Sequence, residues 1–276
     1  MQKTFLSASL CLLLAACSPE SQEPDAAEET RAPEAASEPF ATEAPPSVYE
    51  SAVANGIRSE DDVARDAGRK PAGVLEFFGI QPGMQVLDMF SGGGYYTELL
   101  SHTVGDNGKV VAHTNTAYAK FVGDEANLRY ADNRLPNVEI LLAENNELSL
   151  PAEAFDAVIL ILAYHDLFYV DPNNGWPKID GPKLLAELYQ SMKPGAVLGV
   201  VDHYAEAGSA RETGGTLHRI DPEIVIGDLS KAGFKLDAKS ELLRNMKDDY
   251  SKNMADPSVR GKTDRFVLRF RKPGPG

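Results

Sequence analysis

The stretch that most constrains this chain is 86–100, VLDMFSGGGYYTELL. An apolar run ends in an acid, Asp88. A turn with three successive glycines follows, and a helix-forming segment begins at Tyr95. This is the grammar of a strand passing through a tight turn into a helix, the unit from which parallel sheets are built. Glycines in such a turn let the backbone approach a ligand closely. A dinucleotide fingerprint would read G-x-G-x-x-G, and Gly92 and Gly94 fit it, but Thr97 stands at the third position. A carboxylate at the strand end would repel a pyrophosphate seated on the helix N-terminus. It suits a cation or ribose hydroxyls, which S-adenosylmethionine (SAM) carries. On these residues alone, a βα turn without ligand and a nucleotide site remain the alternatives.

The rest of the chain beyond residue 47 keeps the same alternation. Apolar strands are expected at 84–90, 109–113, 138–142, 157–162 and 196–201, with a closing pair at 234–236 and 265–270. Helices are expected from Ser59, which pairs with Asp62 as a cap, over 71–78, over 95–104, within 117–130, from Pro182 to Met192, and from Asp221 to Gly233. Such an order predicts a Rossmann-like α/β domain, with a mostly parallel sheet covered on both faces and ligands at the carboxyl ends of its strands.

Two segments precede this domain. Residues 1–17 begin with Lys3, continue through an apolar run too short to span a bilayer comfortably, and end in Leu14-Ala15-Ala16-Cys17. The ending resembles the lipobox of bacterial lipoproteins, with Cys17 as the lipidated residue. Ser18 after it favours sorting to the outer membrane, facing the periplasm. Residues 18–46 carry eight acids against Arg31, a net of -7 within the total of -14, together with six prolines. This composition predicts a disordered acidic tether. The domain then occupies 47–276. It has no clustered Lys and Arg of the kind that phosphate backbones require, so no nucleic-acid partner is expected. The only cysteines are Cys11 and Cys17, so the mature domain has no thiol chemistry.

Histidines supply the second constellation. His165, His203 and His218 follow expected strands or lie near the next helix, and each has an acid beside it in sequence: Asp166, Asp202 and Asp221. An acid–imidazole pair fixes one tautomer and raises basicity, as a general base requires. No tight H-x-x-x-H spacing marks a metal site, and none is assigned. Tyr95-Tyr96, Tyr164 and Trp176 are candidates for covering a ligand. Residues 171–182, with three prolines and two glycines, are a candidate lid, and the basic run Arg65, Arg69 and Lys70 reads as a solvated helix face or an anion contact.

The ordered set VLDMFSGGGYYTE, FDAVILILAYHDLF, MKPGAVLGVVDH and LSKAGFKL resembles the motifs of class I SAM-dependent methyltransferases over nearly all of 71–272. More narrowly, GGGYYTE, LHRID and KTDRFVLRFRKP resemble a bacterial family of predicted extracytoplasmic methyltransferases. The resemblance implies a seven-stranded Rossmann-like methyltransferase fold, SAM as cofactor and a small-molecule methyl acceptor. It places Asp88, Gly92 and Gly94 along the methionine portion of SAM, and Glu144 at the adenine amino group. Two positions depart from it. Phe90 stands where the first glycine is usual, and strand two ends in His113-Thr114-Asn115 without the usual ribose-binding acid, leaving Asn115 to bond a hydroxyl. The implied catalytic set is His165, Asp166, His203 and His218. The competing readings are a binding module that keeps the fold without catalysis and a metal-dependent enzyme built on the histidines.

Overall fold

The computed structural model describes residues 45–274; the lipobox with Cys17 and all but the end of the expected tether lie outside the described residues. The domain begins with α1 (Val48–Val53), α2 (Glu60–Arg69) and α3 (Pro71–Phe78). The first strand, β1 (Gln85–Met89), leads into α4 (Tyr95–Val104), and β2 (Lys109–Thr114) into α5 (Thr116–Val122) and α6 (Asp124–Tyr130). Then come β3 (Val138–Leu142), β4 (Phe155–Ile161), α7 (Gly181–Ser191) and β5 (Met192–His203). The chain closes with α8 (Thr213–Leu217), α9 (Pro222–Lys231), β6 (Lys235–Ser240) and β7 (Arg265–Arg271).

Among the described residues the strands form one seven-stranded sheet, in the order β3-β2-β1-β4-β5-β7-β6. The first five are parallel, and β7 runs antiparallel between β5 and β6. The period-two alternation of each strand sorts its side chains into two cores. Leu87, Met89, Val158, Leu160, Leu198 and Val200 pack with Leu184, Leu188 and Leu229 from α7 and α9. Val86, Ala157, Ile159, Val197 and Val201 pack on the other face with Phe78, Leu99 and Leu100 from α3 and α4. Continuous apolar runs in β1 and β4 follow from burial on both faces.

The helix expected within 117–130 is broken at Gly123, whose φ of +64° ends α5 and starts α6. Among the described residues no helix is long and apolar enough to cross a membrane.

Candidate functional site

The parallel strands bring Asp88, Thr114, Leu142, Ile161 and His203 to one carboxyl edge of the sheet, where such folds bind ligands. Asp88 shares the parity of Val86 and so faces α4. The Thr97 hydroxyl donates to its Oδ2 at 2.6 Å. Asp88 is 2% exposed and makes no salt bridge among the described residues. Burial pushes its carboxyl up to about 7, the Thr97 bond offsetting only part of that. A buried carboxylate without a cation is the feature an ammonium or sulfonium would complete.

The turn after it is drawn tight. Phe90 holds φ at +59°, a conformation that favours glycine. Its ring offsets that strain by stacking on Trp176 (centroids 6.2 Å apart) and meeting Tyr118 and His113 edge-on. Gly94 (φ +82°) caps α4, and a Cβ there would run into the Tyr130 hydroxyl and Arg129. A Cβ on Gly93 would meet the Glu125 carboxylate. The glycine loop is thus covered by α6, whose Arg129 donates to the Gly93 carbonyl and pairs with Asp62 and Glu98. Tyr118 of α5 stands over Gly92 and against Trp176.

At the ends of β2 and β3, Asn115 is spent differently from the expectation. Its side-chain oxygen accepts the Tyr118 backbone N–H at 2.7 Å and caps α5, so that oxygen is not free for a ribose hydroxyl. Glu144 accepts the Thr116 N–H at 3.2 Å. His113 is buried, which lowers its pKa to about 4, and its Nε2 meets the Ala143 carbonyl. Its Nδ1 has no partner. Asn145, which sequence reasoning missed, is buried with its Oδ1 unpartnered. Two orphaned acceptors beside Glu144 call for a donor-bearing ligand. A buried anion, a glycine cradle and these orphaned atoms fit SAM.

The histidines do converge, and of the three pairings with a neighbouring acid only His165 with Asp166 is kept. His165 sits on a 3-10 turn (Tyr164–Phe168) after β4. Its Nδ1–H donates to Asp202 at 2.7 Å, 37 positions away, and its Nε2 faces Asp166 at 3.4 Å. His218 Nδ1 lies 3.5 Å from the same Asp166 oxygen, and its ring stands 5.2 Å from that of His165. Burial lowers the His165 pKa, but Asp202 and Asp166 outweigh it and raise the imidazole to about 9. The expected pair of His203 with Asp202 is corrected. From His203 the Asp202 carboxylate accepts the backbone N–H alone, while the His203 ring meets the Thr263 hydroxyl at 2.7 Å. Burial, with the nearby His165 charge, drives the His203 pKa well down, which disfavours it as a base. The His218–Asp221 pairing is corrected too, since Asp221 caps α9 and accepts the Gly208 N–H.

The two clusters share an aromatic wall. Phe90 stacks on Trp176, Trp176 meets Tyr169 at 5.8 Å, and Tyr169 packs on His218 at 5.2 Å. Trp176 comes from the candidate lid, and the Asp171–Trp176 bridge pins it in place. Tyr95 serves elsewhere, donating to Asp66 beneath the guanidinium of Arg69 (4.4 Å). Arg65 pairs with Asp62, and Lys70 donates to the Leu242 carbonyl. Arg219 of the LHRID segment is structural, forming a buried bidentate pair with Asp248.

Comparison with known proteins agrees with the fold. A SAM-dependent methyltransferase of Aquifex aeolicus is 24% identical, with a TM-score of 0.54 over 78% of this chain and 95% of that one. The fold is that of the SAM-dependent methyltransferases. A SAM-dependent methyltransferase of Mesorhizobium loti is similar at 15% identity and a TM-score of 0.51, over 75% of this chain and 99% of that one. The [4+2]-cyclase SpnF shares the fold at 19% identity and 0.53, over 80% and 85%. Residues 38–165 match the family model described as protein-L-isoaspartate(D-aspartate) O-methyltransferase. The ubiquinone/menaquinone biosynthesis C-methyltransferase UbiE of Hydrogenovibrio crunogenus is 28% identical over 130 residues. That stretch is 47% of this chain and 46% of the relative, so the match spans less than half of the relative's length.

Proposed function

We propose that this protein is a SAM-dependent methyltransferase acting on an oxygen or nitrogen nucleophile of a small molecule. The observation that carries the reading is Asp88, a buried carboxylate without a cation at the end of β1, beside the glycine turn. It meets the charged methionine end of SAM, while Glu144 and Asn145 take the adenine amino group and the aromatic wall of Phe90 and Trp176 separates cofactor from acceptor. When bound, SAM supplies the methyl group on an electrophilic sulfonium. This chain's own residues position the acceptor in line, exclude water, and accept the acceptor's proton at the His165–Asp166–His218 cluster, with turnover through His165 rising with pH toward about 9 as its imidazole loses its proton.

Turnover is read as release of S-adenosylhomocysteine across a panel of hydroxyl, carboxyl and amino acceptors. His165→Ala should leave SAM affinity within about twofold while lowering turnover by about 100-fold or more. Absence of turnover with every acceptor, despite SAM binding, would favour the second reading, a binding module of the same fold. The carboxylate-free end of β2, His113-Thr114-Asn115, is the observation on that side.

The reading includes location. Residues 1–17, with their lipobox ending, make Cys17 a lipid attachment point, and 18–46 a tether that holds the domain on the periplasmic side of the outer membrane. Cells fed labelled palmitate should label the wild-type protein and not Cys17→Ser; equal labelling would contradict the anchor.

A further inference from the structure

His165, Asp166 and His218 each bring one ligand atom within 4.8 Å of the others, and Asp166 Oδ1 stands 3.4 Å from His165 Nε2 and 3.5 Å from His218 Nδ1. Ligand atoms bonded to one tetrahedral zinc ion at ordinary lengths stand about 3.3 Å apart. Asp202 engages the other nitrogen of His165 and so turns Nε2 and its lone pair toward Asp166. A carboxylate behind an imidazole is the usual outer support of a histidine ligand, fixing its tautomer and orientation. Asp202 is itself fixed, being fully buried and accepting the backbone N–H groups of His165 (2.8 Å) and His203 (2.7 Å).

The backbone is arranged to bring His218 there. Its φ is +51°, an uncommon conformation for a non-glycine residue. It ends α8, whose two glycines press against the 3-10 turn. A Cβ on Gly214 would lie 2.9 Å from the His165 carbonyl oxygen, and one on Gly215 would lie 2.5 Å from that of Phe168. Charge points the same way. Neither Asp166 nor Asp202 pairs with a lysine or arginine among the described residues, so the side chains that pair with these two largely buried carboxylates are imidazoles. A dication balances such a pair.

We propose that His165, Asp166 and His218 bind one divalent transition-metal ion through two imidazole nitrogens and one carboxylate oxygen, with Asp202 orienting His165. Two imidazoles and a carboxylate suit zinc or iron(II). Three protein ligands leave a position for an oxygen of the acceptor, and the ion lowers the pKa of what occupies it. The role in methylation rests on the reading of this cluster as the acceptor site; the binding itself does not. With the ion present, His165 is a ligand, and the acceptor, ionising on the metal, gives its proton to the Asp166 carboxylate oxygen that the ion leaves free.

The test is titration of the full chain, stripped with a chelator, with Co²⁺ as the probe, read by calorimetry and by the visible d–d absorption of the ion. One saturable equivalent with the bands of a four- or five-coordinate ion is expected. His218→Ala, at a partly exposed position where folding should survive, is expected to lose saturable binding, and Asp202→Asn to weaken it by roughly 10–100-fold. Matched melting curves check that the variants are folded. Absence of saturable binding to the wild-type chain would overturn the proposal. So would undiminished binding to His218→Ala, which would place the ion on Cys11, Cys17 or the surface. SAM titrated into the same stocks separates the two readings: SAM binding without Co²⁺ binding overturns the metal site alone, and Co²⁺ binding without SAM binding overturns the cofactor reading alone.

Discussion

At the scale of the residue, Asp88 sets function against stability. Its folded pKa of about 7 lies above the 3.8 of an ordinary aspartate, so folding takes up a proton between those values. The protonated form therefore stabilises the fold below about pH 4, and that contribution is lost as pH rises through about 7. Binding of a cation runs oppositely, because it needs the carboxylate. Asp88→Asn should melt higher than wild type at pH 8, with the difference shrinking toward pH 4, while weakening SAM by about tenfold or more. A melting curve at each pH checks the first part; equal melting points at pH 8 would contradict it. The strand, turn and helix that carry Asp88 and the glycines are legible because they lie in one stretch, 86–100. Of the acid–histidine pairs, only His165–Asp166 is legible from adjacency. Asp202 reaches His165 only because β4 and β5 are neighbours in the sheet, and adjacency in sequence misassigned it to His203. Asn115 was misread for a related reason: a side chain that opens a helix caps it before it serves a ligand.

At the scale of the element, the strands and long helices followed from hydrophobic period, while the short pieces that aim the site did not. The 3-10 turn carrying His165 has five residues, and α8 has five, too few for a period to register. Both are held by contacts distant in sequence. Behind them, Arg219 holds the 241–264 segment through Asp248 and the Lys252 carbonyl, and ties it to the end of β5 through the Tyr204 carbonyl. Its pair with Asp248 is fully buried on both sides. Arg219→Ala leaves a buried carboxylate without its partner and should cost about 3–5 kcal/mol. The loss is measured as the shift of the denaturant midpoint. Because Thr263 and Asp264 lie in the same network, His203 should also lose its Thr263 contact, visible as a change in its NMR titration. A midpoint within about 1 kcal/mol of wild type would contradict the structural role given to this pair.

At the scale of the molecule, one sheet edge carries two chemically distinct clusters. An anionic pocket lies beside the glycine turn, and an imidazole–carboxylate cluster lies beyond an aromatic wall. The fold class was legible from the alternation of elements alone. The sealing of the glycine loop by α6 was not, because it depends on Arg129 reaching Asp62 and Glu98, each more than thirty positions away. Binding of SAM by Asp88 and its turn is tested by calorimetric titration of SAM and S-adenosylhomocysteine into the protein and into Asp88→Ala. Saturable micromolar binding by the wild type, lost in the variant, is expected. A folded wild-type protein that binds neither ligand at millimolar concentration, or a variant that binds as well as wild type, would contradict it.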